Sequence, residues 1–175
     1  MNKTTTSKQS VIAEFQQKQD LFNILAGKSE SYSYEDLFNQ YLLIVEEGCN
    51  EGKEAFEQDN AVMLLDSFVD ALFVVLGGLQ KLKNAGFDVD GAMLQVANDN
   101  MSKFPMNKDI MLRTVEKYEE QGIAVKVKKA QDYYIIQNKE TGKILKPVNF
   151  KSTDLSKYCP YKTISGIGSE EFCDD

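Results

Sequence analysis

Apolar positions recur at helical spacing through the first hundred residues, and short polar stretches interrupt them. This periodicity predicts four helices, at about 11–25, 34–56, 61–85 and 89–104. Ser33, then Asp59 or Asn60, then Asp88 or Asp90 stand where the second, third and fourth helices would be capped, and Gly27 and Gly86 suit the position just after a helix end. Because the connections are short, we expect neighbouring helices to run antiparallel, as a bundle.

The pattern changes beyond Pro105. Residues 106–122 predict a charged amphipathic helix, and IAVKVKK, DYYIIQN and GKILKP are short β-branched or aromatic runs between turn-forming residues. We therefore predict a mainly α protein, an antiparallel bundle of four to five helices with a small C-terminal β-meander. The helical domain would span 1–105, and an extension of helix, meander and tail would span 106–175.

The third predicted helix contains LLDSFVDALFVVLGGL and is the most apolar element of the chain. Its apolar length raises a transmembrane interpretation, but each mid-span Asp would cost roughly 2.5–3.5 kcal/mol on insertion scales. We expect instead a soluble protein with this helix buried at its centre and no membrane partner. Asp66 and Asp70 stand one helical turn apart on it, and buried carboxylates need a compensating partner.

The amino-acid composition excludes several classes of binding and catalytic site. The net charge of −7 and a pI near 4.8 disfavour a binder of nucleic acid polymers, so we expect any nucleotide to be a small one held through metal. The absence of His excludes His-based triads, zinc sites and imidazole bases. Three scattered cysteines and the lack of an apolar N-terminal run predict free thiols and a cytoplasmic protein.

Acidic residues on two predicted helices could meet in one cleft. Glu47, Glu51 and Glu54 follow i, i+4, i+7 spacing on helix two, and Asp66 and Asp70 follow i, i+4 spacing on helix three. Five converging carboxylates require protonation, basic partners or divalent cations. Oxygen ligands without His or Cys favour Mg²⁺ or Mn²⁺, which bind polyphosphates and activate water.

Simpler interpretations stand beside this one. Acidic residues on a helix are often only its solvated face. A buried Asp can also be satisfied by Lys81, Lys103 or a backbone N–H. In the β-rich extension, Tyr133, Tyr134 and Phe150 could stack on a base, although such residues more often pack a small sheet.

Several segments together resemble a known family. EEGCNEGKEAF, then LLDSFVDALFVVLGG, then ANDNMSKF are similar to the all-α nucleoside triphosphate pyrophosphohydrolases, the MazG-like superfamily. The similarity is greatest to the phosphoribosyl-ATP pyrophosphohydrolase-like branch often found in bacteriophages, and the segment GKILKPVNFKSTDL resembles the ending of that branch. The resemblance covers about 35–104 and 142–155, and its specificity lies in the order and spacing of the pieces.

The resemblance implies a helical homodimer or homotetramer that uses Mg²⁺ to hydrolyse a (deoxy)nucleoside triphosphate to monophosphate and pyrophosphate. For a phage-encoded protein, the place of action would be the host cytoplasm. By position, the implied catalytic metal ligands are Glu47, Glu51, Asp66 and Asp70. In the same way Asn100 and Lys103 correspond to residues that approach the nucleotide phosphates.

The sequence also departs from the family pattern of Glu-Glu-x-x-Glu and Glu-x-x-Asp. The second Glu of helix two falls on Gly48, and the Glu of helix three falls on Met63 if Asp66 is the Asp, or on Ser67 if Asp70 is. A non-catalytic nucleotide-binding or sequestering protein is therefore the alternative. A third hypothesis is an interaction module in which a buried Asp pair fixes the register of an oligomer.

Overall fold

The computed structural model describes residues 10–27, 33–161 and 163. The protein is mainly helical with one small antiparallel sheet, as the sequence predicts. The N-terminal start and the tail beyond 163, including Cys173, lie outside the described residues. In chain order the elements are α1 (Val11–Leu25), α2 (Tyr34–Val45), a π-helical segment (Glu46–Glu51), α3 (Gly52–Glu57), α4 (Ala61–Asn84), α5 (Val89–Met101), α6 (Lys108–Glu120), β1 (Val125–Ala130), β2 (Tyr133–Asn138) and a short 3₁₀ helix (Ser156–Tyr158).

The helix ends follow the capping residues in the sequence. Ser33 caps α2 by accepting from the Asp36 N–H, while the Asp36 carboxylate accepts from the Ser33 N–H. Asn60 caps α4 through its side-chain oxygen. After α4, Gly86 takes a φ of 90°, a left-handed conformation that glycine adopts without steric cost.

The second predicted helix is present over its whole length but is not uniform. A π-helical segment of six residues, EEGCNE, connects α2 to α3. Such segments are rare, and they frequently occur at functional sites. The sequence periodicity did not predict this one.

Two glycines let α4 pack closely against α1 and α2. A Cβ on Gly77 would lie 2.5 Å from the side-chain amide of Gln19, and one on Gly78 would lie 3.2 Å from Gln40. The Gln40 amide donates to the Val74 carbonyl at 2.8 Å. Close approach of these polar side chains explains the glycine pair, and α4 continues past it for six residues to Asn84.

The expectation that α4 is wholly buried is wrong for the single chain. Only 22% of its most apolar 18-residue window, of mean hydropathy 2.0, is buried, and by length and composition alone the helix could cross a membrane. Asp66 and Asp70 are both exposed. The reason is geometric: α1, α2 and α3 cover one side of α4, and its opposite side, including Leu65 and Val69, has no covering element among the described residues.

In the C-terminal part, α6 packs on one face of the sheet. The core there consists of Met111, Ile136 and Leu145. The predicted three-stranded meander is wrong in its third strand, because GKILKP contributes only an isolated bridge between Gln137 and Ile144. Pro147 follows closely and has no N–H with which to continue a ladder.

The chain divides into two compact units. The first comprises Met1–Val89 and Cys159–Asp175, and the second comprises Asp90–Tyr158. The change of sequence character near residue 105 therefore falls inside the second unit. Of the cysteines that the structure describes, Cys49 and Cys159 are free thiols, as expected.

Candidate metal centre

Three carboxylates converge in the first unit. Ligand oxygens of Glu47, Glu51 and Asp70 all lie within 4.8 Å of one another. The π-helical segment supplies both glutamates, and α4, which packs against that segment, supplies the aspartate. Three of the four carboxylates proposed as metal ligands are thus in one group.

Their negative charge is not neutralised within the described part of the chain. No described lysine or arginine forms an ion pair with any of the three carboxylates. Desolvation raises the pKa of the Glu47 carboxyl above its usual value, and the charge and hydrogen bonding of Glu51 raise it further, with a smaller effect from Asp70. A divalent cation would relieve this repulsion, and a donor set made only of oxygens suits Mg²⁺ or Mn²⁺.

Ser67 holds the π-helical segment against α4. It is only 4% exposed, and its hydroxyl donates to the Glu47 carbonyl oxygen at 3.1 Å. Gly52 permits the close approach, since a Cβ there would lie 3.1 Å from the Ser67 Oγ. Sequence reasoning missed this role, although a small polar residue within an apolar helix, three positions before Asp70, is a usable signal.

Asp66 and Glu54 lie outside the group of three carboxylates. Glu54 is exposed, and its carboxylate accepts from the Gln58 amide at 2.8 Å. The i, i+4, i+7 stripe assumed a regular α-helix, whereas a π-helical turn contains an extra residue and rotates the rest of the helix about its axis. Asp66 is exposed on α4 and needs no buried partner.

Asn100 and Lys103 contact each other at the end of α5. The Lys103 ammonium donates to the Asn100 side-chain oxygen at 2.6 Å, and the Asn100 amide donates to the Val96 carbonyl at 3.0 Å. Both belong to the second unit, whereas the three carboxylates belong to the first. Their correspondence to phosphate-binding residues remains a prediction from the resemblance.

A cavity of about 320 Å³ is lined by residues of α3 and α4, and Glu47, Glu51 and Asp70 are not among them. Its walls are mainly apolar, with one hydroxyl, and the lining residues are Gly52, Leu64, Ser67, Phe68 and Ala71. Gly52 directly follows Glu51, and the Ser67 hydroxyl donates to the Glu47 carbonyl oxygen, so two lining residues are linked to the backbone that carries the glutamates. Its volume is in the range of small-molecule sites.

Comparisons with known proteins show a partial relationship to one viral protein. The chain is 35% identical over 92 residues to "Uncharacterized protein L479" of Acanthamoeba polyphaga mimivirus, a match that covers 49% of this chain and 37% of that protein. The chain thus spans little more than a third of its curated relative's length. No protein-family model and no solved structure matches the chain.

Proposed function

We propose that this protein is a Mg²⁺-dependent pyrophosphohydrolase of (deoxy)nucleoside triphosphates, with monophosphate and pyrophosphate as products. The observation that carries the proposal is the convergence of Glu47, Glu51 and Asp70 within 4.8 Å, without a basic partner among the described residues. The resemblance to the MazG-like superfamily supplies the reaction. The segments that carry the resemblance place the metal ligands on predicted helices two and three, and the three carboxylates come from these two parts of the chain.

The roles follow from the chemistry of the side chains. Glu47, Glu51 and Asp70 would hold Mg²⁺ or Mn²⁺. When bound, the cation would supply neutralising charge for the phosphates and lower the pKa of a water molecule that attacks the α-phosphorus. Ser67 keeps the Glu47 backbone in place, and Asp66 lies one helical turn from Asp70, where it adds to the negative potential.

The cavity lined by α3 and α4 is proposed to hold the uncharged part of the substrate. Phe68 and Leu64 offer apolar contact area to a base or sugar, and the Ser67 hydroxyl is the one side-chain polar group in the lining. Nucleotide sites commonly combine mainly apolar walls with a few placed polar groups. From the resemblance, Asn100 and Lys103 are proposed to contact the phosphates.

We also propose that the functional form is a homodimer or homotetramer in the cytoplasm, with the helices arranged as an antiparallel bundle. Large apolar side chains on the uncovered side of α4 include Leu65, 67% exposed, and Val69, 41% exposed. Contiguous exposed apolar surface of this kind marks interaction sites. A second copy would cover it.

The alternative is a nucleotide-binding protein without turnover. Because Asp70 and not Asp66 joins the group, Ser67 occupies the position where the family pattern has a Glu, and Gly48 occupies another. Loss of two carboxylates can leave binding without chemistry. The register hypothesis has less support, since Asp66 and Asp70 are exposed in the single chain.

The test is release of pyrophosphate and monophosphate from a panel of ribo- and deoxyribonucleoside triphosphates, with Mg²⁺ and with EDTA. Asp70→Asn should abolish turnover, whereas the charge-matched control Glu54→Gln should retain it. Binding of nucleotide without turnover by the folded protein would favour the sequestering alternative. Failure to bind any nucleotide would reject both.

A further inference from the structure

The two units carry opposite charge. The second unit contains twelve Lys and Arg against nine Asp and Glu, a net charge of +3. The first unit contains eight Lys and Arg against eighteen Asp and Glu, a net charge of −10. The acidity of the whole chain therefore conceals a basic unit, and only the first unit has a charge that disfavours nucleic acid polymers.

Two of the twelve basic residues, Lys126 and Lys128, share one face of the sheet. Directly opposed residues of an antiparallel pair share a face, and successive pairs alternate between faces. The pair Val127 and Ile136 faces the core, because Ile136 is fully buried against the α6 layer. The other face, here called the outer face, carries the three alternating pairs Lys126↔Gln137, Lys128↔Ile135 and Ala130↔Tyr133.

The outer face is free of opposing charge from its own strands. Neither strand contains an acidic residue. Lys126 and Lys128 are exposed and form no ion pair with any described residue. The acidic residues of α6, such as Glu116, belong to the layer on the opposite side of the sheet. The charged side chains of the outer face itself are therefore both positive, and Asp132 in the turn is the nearest acidic residue along the strands.

An aromatic ring and apolar surface adjoin the lysines. Tyr133 shares the outer face, whereas Tyr134 packs into the core and carries Lys129 over its ring. Ile135 lies directly opposite Lys128 on the outer face. Tyr133 is half-buried, so part of its ring is accessible beside the exposed lysines. Lysines can hold phosphates while a neighbouring aromatic ring stacks on a base.

We propose that the outer face of β1 and β2 binds single-stranded nucleic acid. Lys126 and Lys128 lie two residues apart, about 6.6 Å along the strand, and contact successive phosphates. Tyr133 stacks on an unpaired base at the end of the ribbon. A single strand is favoured over a duplex because the aromatic side chain can stack only on a base that is not already paired and stacked.

The test is fluorescence anisotropy of a labelled oligothymidylate titrated with the full-length protein, in EDTA so that no metal joins the acidic group. The key variant is Lys126→Gln/Lys128→Gln. Its matched control, Lys108→Gln/Lys117→Gln, removes the same charge from exposed positions on α6. Losing two phosphate contacts should lower the slope of log affinity against log salt by about 1.4 in the key variant.

Stacking is tested separately. Tyr133→Ser should weaken binding roughly tenfold with little change in the salt slope. The proposal is overturned if the wild-type protein does not bind the oligonucleotide, if both lysine variants lose affinity equally, or if a duplex of equal phosphate concentration competes as well as the single strand. None of these results depends on pyrophosphohydrolase activity.

Discussion

Replacing Glu47 by Gln should stabilise the metal-free protein and remove its response to Mg²⁺. Glu47, Glu51 and Asp70 form three like-charged pairs within 4.8 Å, and the substitution removes two of them. Each pair costs about 0.9 kcal/mol in a water-like dielectric, or about 0.5 kcal/mol after screening at physiological salt. The expected gain is about 1 kcal/mol, which raises the melting temperature by about 2–4 °C.

The stability difference between Glu47→Gln and the wild-type protein should depend on pH. The pKa of Glu47 is raised in the folded protein, so the folded state binds its proton more tightly than the unfolded state does. Stability is therefore lost as pH rises from the usual value of 4.5 through the folded pKa. The advantage of Glu47→Gln should be present at neutral pH and disappear well below pH 4.5, where Glu47 is protonated in both states.

With saturating Mg²⁺, the wild-type protein should become more stable than Glu47→Gln. At a Mg²⁺ concentration one hundred times its Kd, the wild-type protein should gain about 2.7 kcal/mol, whereas Glu47→Gln should gain little. Thermal melts with EDTA and with MgCl₂ measure both effects, and Glu54→Gln, outside the group, should behave as wild type. A Glu47→Gln protein that is less stable than wild type in EDTA, or that keeps the full Mg²⁺ shift, would refute the reasoning.

Three further substitutions test the supporting structure. Ser67→Ala should cost about 1 kcal/mol by removing the hydrogen bond to the Glu47 carbonyl, measured by urea unfolding, and unchanged stability would contradict this role. Gly77→Ala should cost about 1–3 kcal/mol, and part of the loss should return with Gln19→Ala in the same chain; simple additivity would argue against the contact. Leu65→Glu should shift the mass measured by light scattering towards the monomer while circular dichroism stays unchanged, and an unchanged mass would place the oligomer interface elsewhere.

Local rules predicted most of the helices. Capping by Ser33 and Asn60 and the left-handed Gly86 placed helix ends close to where the structure has them. Pro105 marked where the last helix of the first hundred residues had to end, and α5 stops shortly before it, at Met101. These features depend on backbone hydrogen bonding within a few residues, which a sequence displays directly.

Features set by contacts between distant residues could not be predicted in the same way. The π-helical segment changes which glutamates share a face, and the Ser67 bond to the Glu47 carbonyl that holds it spans twenty residues. The burial of α4 was overestimated because hydrophobicity does not say whether the covering surface comes from the same chain or another copy. The prediction of a strand at GKILKP was wrong because a strand needs a pairing partner as well as β-forming residues.

The convergence of carboxylates could be predicted only in part from the sequence. Spacing suggested that Glu47, Glu51 and Asp70 could meet, and the structure brings them together. Spacing alone could not separate Asp70 from Asp66, because both lie on the same helix one turn apart. Only the position of the π-helical segment against α4 selects between them.

The most direct test of the central claim is hydrolysis of nucleoside triphosphates in ¹⁸O-labelled water with Mg²⁺, with mass spectrometry of both products. Water attack at the α-phosphorus places one ¹⁸O atom in the monophosphate and none in the pyrophosphate. Asp70→Asn should abolish this reaction, and Asp66→Asn should lower its rate less. Label in the pyrophosphate, or no turnover by protein shown to be folded, would contradict the account.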